Sequence, residues 1–96
     1  MDYAAAVKVT WDPEKARTNL AKHGVSFEEE ASALLDPFAL EALDLIEVDR
    51  TIVIGRSARL GVLFVVTLML ERDEVVRIIS ARKASPLQRK KYEEAP

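Results

Sequence analysis

The sequence contains no cysteine, which excludes a disulfide framework and a thiolate metal site. It contains one histidine, so neither HExxH nor any other paired-histidine metal spacing can be built. Asp44, Glu47 and Asp49 cluster, but without histidine partners they give no reason to expect a metal or other cofactor. Three glycines leave no glycine-rich loop to cradle a phosphate. The longest apolar run, Val62 to Leu70, is interrupted by Thr67, and roughly 20 residues are needed to cross a bilayer. The N-terminus shows no basic region followed by an apolar stretch, so no signal peptide is read. The expectation is a cytoplasmic protein with no membrane association. No repeat, low-complexity tract or linker divides the chain, so residues 1–96 are read as one domain with one small core. Such a core leaves little stability to spare, and a partner or dimer would add to it.

What is present is an uneven distribution of charge. The net charge is -2, which taken alone argues against nucleic-acid affinity. Yet residues 1–49 carry 4 basic and 11 acidic side chains, while residues 50–96 carry 10 basic and 5 acidic. From Glu28 to Asp49 there are eight acidic residues and no basic one. Either this charge merely solubilises the chain, or the domain has two electrostatic faces.

The elements follow from local patterns. Val7 to Trp11 alternates and reads as a short strand. Asp12-Pro13 opens a helix running to about His23, with Gly24 as a left-handed cap. Ala16 and Leu20 share its apolar stripe, while Lys15, Asn19 and Lys22 share a polar face. Ser26 opens a second helix with a capping box to Glu29, and Phe27, Ala31, Leu34 and Leu35 form its buried face. Asp36-Pro37 stops it. Leu40 to Val48 is compatible with helix, although its end resembles an edge strand. Strands follow at Thr51 to Arg56, Val62 to Leu70 and Val75 to Arg82, separated by turns at Ser57 to Gly61 and Glu71 to Glu74. Alternation places Val76, Ile78, Ser80 and Arg82 on one face of the last strand and Arg77, Ile79 and Ala81 on the other. Ser85-Pro86-Leu87-Gln88 is a second capping box, opening a short helix to about Glu94 that must dock through Leu87, with Tyr92 as a candidate second contact. The expected class is α+β: a short N-terminal strand and an αα-hairpin on a mainly antiparallel sheet of about four to five strands, with a short C-terminal helix.

Three stretches, in this order, resemble one family. They are Trp11-Asp12-Pro13-Glu14-Lys15-Ala16-Arg17-Thr18-Asn19-Leu20-Ala21-Lys22-His23-Gly24 through Glu29, with Asp36-Pro37 after it; Asp49-Arg50 with Ile54-Gly55; and Arg77-Ile78-Ile79-Ser80-Ala81-Arg82-Lys83-Ala84 with Arg89 and Tyr92. Together they cover about residues 7–93 and resemble the BrnT toxin family. The resemblance implies a RelE-like fold and a type II toxin that arrests growth by cutting RNA, either single-stranded or ribosome-associated. It also implies a BrnA-like antitoxin with a ribbon-helix-helix DNA-binding domain, and leaves room for a homodimer within the complex. Two positions depart from the family pattern. Asp49 stands where glutamate is usual, which keeps the charge but shortens the reach. Thr67-Leu68-Met69-Leu70 is apolar where family members are polar or aromatic, so this strand end is either partner-facing or a weakened part of the site.

Metal-free RNA cleavage must deprotonate a 2′-hydroxyl, stabilise a phosphorane and protonate the leaving 5′-oxygen. Arginine suits the second task because its fork binds phosphate oxygens in pairs. Arg50 and Arg82 match the family motifs and are the preferred candidates; salt bridging to the acidic helices is their structural alternative. Lys22 and His23 complete the candidate catalytic set. An imidazole suits proton transfer, but a histidine beside a glycine cap can equally bond a free helix carbonyl. Asp49 and Glu47 are weaker candidates for the base. Lys15, Arg59, Arg89 and Tyr92 are candidate RNA contacts, Tyr92 through base stacking or instead as a docking residue of its helix. A second functional reading is a degenerate, non-catalytic homologue that only holds the antitoxin and supports operon repression.

Overall fold

The computed structural model describes residues 8–70 and 75–95, with backbone alone at 69 and 70. Its elements are β1 (Lys8–Trp11), α1 (Pro13–His23), α2 (Phe27–Leu34), β2 (Leu40–Leu43), β3 (Arg50–Arg56), β4 (Val62–Leu70), β5 (Val75–Lys83) and α3 (Pro86–Glu94). Val7 and the Glu71 to Glu74 turn lie outside the described residues. The strands form a mixed sheet in the order β1-β5-β4-β3-β2. All neighbours pair antiparallel except β1, which runs parallel to β5. β4 occupies the centre, as its two-sided apolar sequence requires.

The ambiguous stretch resolves into two parts. Leu40–Leu43 is the edge strand and the residues after it form a turn, so it is the start of the segment, not its end, that joins the sheet. Helix starts are written in the caps. The Asp12 carboxylate accepts the Glu14 N–H at 3.0 Å, and Gly24 takes φ 70° to close α1. Ser85 and Gln88 form the complete reciprocal box. The Ser26 box is only half made. Ser26 Oγ accepts the Glu29 N–H at 3.1 Å, but the Glu29 carboxylate turns away to accept the Arg59 N–H.

Val25, Phe27, Ala33, Leu34, Val53, Leu63, Val65, Val76, Ile78 and Ala81 build the core between the sheet and the α1–α2 hairpin. Trp11 meets Phe27 edge to face, ring centres 6.1 Å apart. Helix α2 lies directly on β3. A Cβ at Gly55 would stand 2.4 Å from the Ala33 carbonyl oxygen, so only glycine permits this approach.

Two expectations about faces are overturned. Leu20 and Leu35 are exposed, whereas Asn19, assigned to the polar face of α1, is buried. Periodicity fails there because β1 ends opposite Ile78 and α1 then takes its place along β5. The Asn19 amide acts as a substitute strand peptide. Its Nδ2 donates to the Ala81 carbonyl at 2.8 Å and its Oδ1 accepts the Ala81 N–H at 3.1 Å. The same Nδ2 reaches the Val25 carbonyl at 3.0 Å, tying the interhelical link to the sheet. The second correction concerns β5. Ser80 faces Val66 and Ile78 faces Thr67, so Ile79 is an extra residue in a β-bulge. The alternation shifts by one at that point. Ala81 joins Val76 and Ile78 in the core, while Ser80 and Arg82 move to the opposite face with Arg77.

The core also holds an acid. Glu30 is fully buried and neither carboxylate oxygen has a hydrogen-bond partner. Burial pushes its pKa up from 4.5 to about 10, so the folded chain keeps it protonated at neutral pH. The unfolded chain loses that proton near the ordinary value. Stability from this group is therefore fullest below that value and falls as pH rises toward the folded one.

Two measurements follow. Asn19→Ala orphans buried backbone groups of Ala81 and should cost about 2–4 kcal/mol in denaturant unfolding, with faster hydrogen exchange at the Ala81 amide; unchanged exchange there would remove the clamp. Glu30→Met should raise stability by about 1–3 kcal/mol near neutral pH, with the gain growing between pH 5 and pH 9. A gain that does not vary with pH would mean that Glu30 is not held protonated.

Candidate functional site

The bulge gives the sheet a second, unlike face. Cross-strand register places Leu40, Ile54, Phe64 and Arg82 in one row, Ile52, Val66 and Ser80 in the next, and Arg50, Leu68 and Arg77 in a third. The aliphatic and aromatic members are half-buried, leaving an apolar floor with arginines at both ends. Arg82 lies flat over Phe64, its Cζ 4.1 Å from the ring centre. Its Nη1 also donates to the Gln88 side-chain Oε1 at 3.0 Å and to the Lys83 backbone carbonyl at 3.2 Å. Gln88 Oε1 in turn accepts the Ser85 N–H of the capping box, so the start of α3 fixes the guanidinium.

Beside β5 runs an open groove of about 300 Å³, walled by Glu14, Lys15, Thr18, Asn19, Lys22 and His23 of α1 and by Ile79 and Ser80 of the bulge. Three predicted residues, Lys15, Lys22 and His23, are thus brought together at the exposed surface of one helix. Ser80 belongs both to this groove and to the open sheet face. Arg82 stands two residues further along β5, about 7 Å away. Lys15, Lys22 and His23 on the groove wall, Ser80 where the groove meets the sheet face, and Arg82 on that face thus form a track along α1 and β5.

The other candidates sit elsewhere. Arg50 is on the same sheet face as Arg82 but at its far end, since their partners on β4 are Leu68 and Phe64. That separation is about 13 Å along the strand; Arg77, across Leu68, is the cation nearest Arg50 in register. Arg59 is drawn to the helix side by its N–H bond to Glu29. Asp49 and Glu47 are exposed in the β2–β3 turn, at the Arg50 end. Arg89 lines a separate groove of about 450 Å³ with Arg56, Lys83 and Glu93. Among the described residues, no three histidine, aspartate or glutamate side chains converge as metal ligands.

Tyr92 serves its own helix. Helix α3 buries none of its residues and Leu87 is exposed, so the expected apolar docking through Leu87 does not occur. A polar latch replaces it. The Asp36 carboxylate accepts the Tyr92 hydroxyl, the Arg56 N–H at 2.8 Å and the Phe38 N–H at 2.9 Å. The Arg56 guanidinium lies 5.6 Å from the Tyr92 ring centre. Partial desolvation pushes the Asp36 carboxyl up, but the Tyr92, Arg56 and Phe38 hydrogen bonds and the Arg56 charge together hold it below its ordinary value. Desolvation, then the Asp36 bond and charge, raise the Tyr92 phenol.

Sequence reasoning missed Asn19, Phe64, Arg77 and Gln88. Phe64 and Arg77 depend on a register that the bulge resets, and nothing in the local pattern announces it. Gln88 was visible as a capping residue, but its grip on Arg82 required the fold.

A five-stranded mixed sheet with a helical hairpin on one face and arginines at the ends of the other defines the chain as an α+β protein. The chain matches the family model for the ribonuclease toxin, BrnT, of type II toxin–antitoxin systems over residues 11–87. It belongs to that family. Among solved structures it is similar to the 1.1 Å crystal structure of the Brucella abortus ribonuclease toxin, BrnT, at 30% identity and a TM-score of 0.68. That match covers 83% of this chain and 99% of the Brucella chain. Comparison with curated proteins gives no match. Among the described residues, no helix is long and apolar enough to cross a membrane.

The latch is testable by itself. Tyr92→Phe should cost about 1 kcal/mol and speed amide exchange across α3 while leaving β3 to β5 protected. Because the Asp36 carboxyl is lowered, its contribution is present above the ordinary carboxylate range and lost as pH falls through the lowered value. The α3 amides should therefore lose protection in acid before the sheet does; simultaneous loss would mean that α3 and the sheet open together.

Proposed function

We propose that the chain is an endoribonuclease that cuts RNA without a metal ion, acts in the cytoplasm to arrest growth, and is neutralised by a BrnA-like antitoxin. The observation that carries this reading is the track from Lys15, Lys22 and His23 through Ser80 to Arg82. RNA phosphates follow the cations, while bases face the apolar floor around Phe64. Arg82 supplies the planar donor fork that neutralises the developing phosphorane, and its stacking and its bond to Gln88 hold it ready before substrate arrives. Lys22 adds positive charge at the leaving oxygen. His23 serves in proton transfer, its imidazole offering one ring nitrogen to accept and the other to donate a hydrogen bond at the groove wall. Arg50 and Arg77 extend the footprint to a neighbouring phosphate. Lys15 contributes binding, and Arg89 lies outside the track.

A degenerate homologue that binds the antitoxin without cleaving RNA is the second reading. The distance between Arg50 and Arg82 favours it over any scheme that needs both arginines on one phosphate; the Arg82 track does not need both.

The test is induced expression of the wild-type chain beside Arg82→Ala and Lys22→Ala, with RNA integrity and growth as readouts and unfolding curves as controls. Expected is fragmentation with wild type that persists in EDTA, reduced about 10²- to 10³-fold by Arg82→Ala without loss of fold. Intact RNA and normal growth with soluble wild type would reject the nuclease and leave the binding module.

A further inference from the structure

The β2–β3 connection is unusual for a surface turn. Its polar atoms are spent on holding its own shape. The Asp44 N–H donates to the Arg50 carbonyl at 3.1 Å, the Arg50 N–H donates to the Glu47 carbonyl at 2.9 Å, and the Asp44 carboxylate accepts from Ile46 and Glu47 at 2.9 and 3.0 Å. The result is an ordered turn that displays apolar side chains. Leu45 is 92% exposed, Ile46 89%, Val48 78%, and the adjoining Leu43 70%. Surface turns are ordinarily polar, and contiguous exposed apolar groups mark contact surfaces. The patch adjoins β2, the outermost strand of the sheet on this side. Such an edge accepts an added strand unless charge or a covering element blocks it. A depression of about 250 Å³ lined by Glu41, Ala42, Leu43 and Thr51 opens beside it.

Charge selects the occupant. Glu41 on β2 and Asp44, Glu47 and Asp49 in the turn surround the patch, with Glu41, Glu47 and Asp49 exposed and no basic residue before Arg50. A second copy of this chain would bring like charges together along that edge. A segment carrying lysine or arginine between apolar residues would meet opposite charge and cover the apolar groups. The RNA track lies on β5 and α1, with two strands, β4 and β3, between it and β2.

We propose that the Leu43 edge and the Leu45–Val48 turn are the docking surface for a basic, apolar-bearing extended segment of the antitoxin. This rests on the toxin–antitoxin reading above. The surface lies away from Arg82 and the α1 groove and meets the RNA footprint at Arg50, which closes the turn, so the antitoxin's anchor and the cleavage chemistry occupy different parts of the sheet.

The experiment uses the full chain and its purified cognate antitoxin. The variant Leu45→Ser/Ile46→Ser/Val48→Ser is compared with wild type for antitoxin affinity by calorimetry, for RNA cleavage by the free toxin, and for mass by sedimentation. Expected is a loss of affinity of at least tenfold, with cleavage and unfolding midpoint unchanged, and wild-type affinity that weakens as salt rises. Equal affinity of the variant, with cleavage intact, overturns the docking surface while leaving the nuclease standing. A wild-type dimer that the variant converts to monomer assigns the patch to a second copy and overturns the proposal. Salt-insensitive affinity removes the basic segment and does the same. Wild type that binds antitoxin but fails to cleave, with the variant losing affinity, upholds the docking surface and rejects the nuclease instead.

Discussion

The amide of Asn19 is the contact on which the arrangement of the molecule depends. A parallel strand that stops at Trp11 leaves the backbone of β5 unpaired just where the bulge begins. Unpaired buried peptide groups are costly. One side chain with both a donor and an acceptor at the right spacing supplies what a strand would have supplied, and it does so from a helix. That substitution holds α1 against the edge of the sheet. The groove exists because α1 lies there, and Lys15, Lys22 and His23 share a wall because they are on the outward side of the same helix.

Much of the fold was legible in the sequence, because its signals are local. Asp12-Pro13, Gly24 and Ser85 through Gln88 mark helix ends by backbone chemistry that needs no tertiary partner. The apolar run from Val62 to Leu70 has no polar side and could only be central. The three motifs, taken in their order, were sufficient to suggest the family. What could not be read was non-local. Asn19 looks like any surface asparagine until the strand it replaces is known to end early. Leu20 and Leu35 satisfy a helical stripe, but α1 buries Asn19 instead of Leu20, and Leu35 falls at the cap just past the end of α2. The bulge at Ile79 has no glycine or proline to announce it, and every face assignment beyond it was inverted in consequence. Of the candidate site, the α1 residues came together as a group because they share one helix. Arg50 and Arg82 did not, because strand pairing separates them.

The two long-range electrostatic features act in opposite senses. Glu30 is an acid kept neutral without a partner, and it weakens the fold as pH rises. Asp36 is an acid kept charged by three donors, and it fastens α3 to β3. α3 in turn grips Arg82 through Gln88. The posture of the principal cation is thus set by a helix that has no buried residue and is held by polar contacts. Loosening the latch would free Arg82 without disturbing the core.

Ile79 has a consequence for how this protein can change over time. A bulge absorbs one residue without moving the register on either side of it. Deleting Ile79 would leave Ser80 opposite Val66, Ala81 opposite Val65 and Arg82 opposite Phe64, so the strand would become regular with both sides of the sheet kept. A residue can therefore be lost here without turning a guanidinium inward, whereas a one-residue slip in a regular strand exchanges its faces. What would be lost is the Ile79 side chain from the wall of the groove.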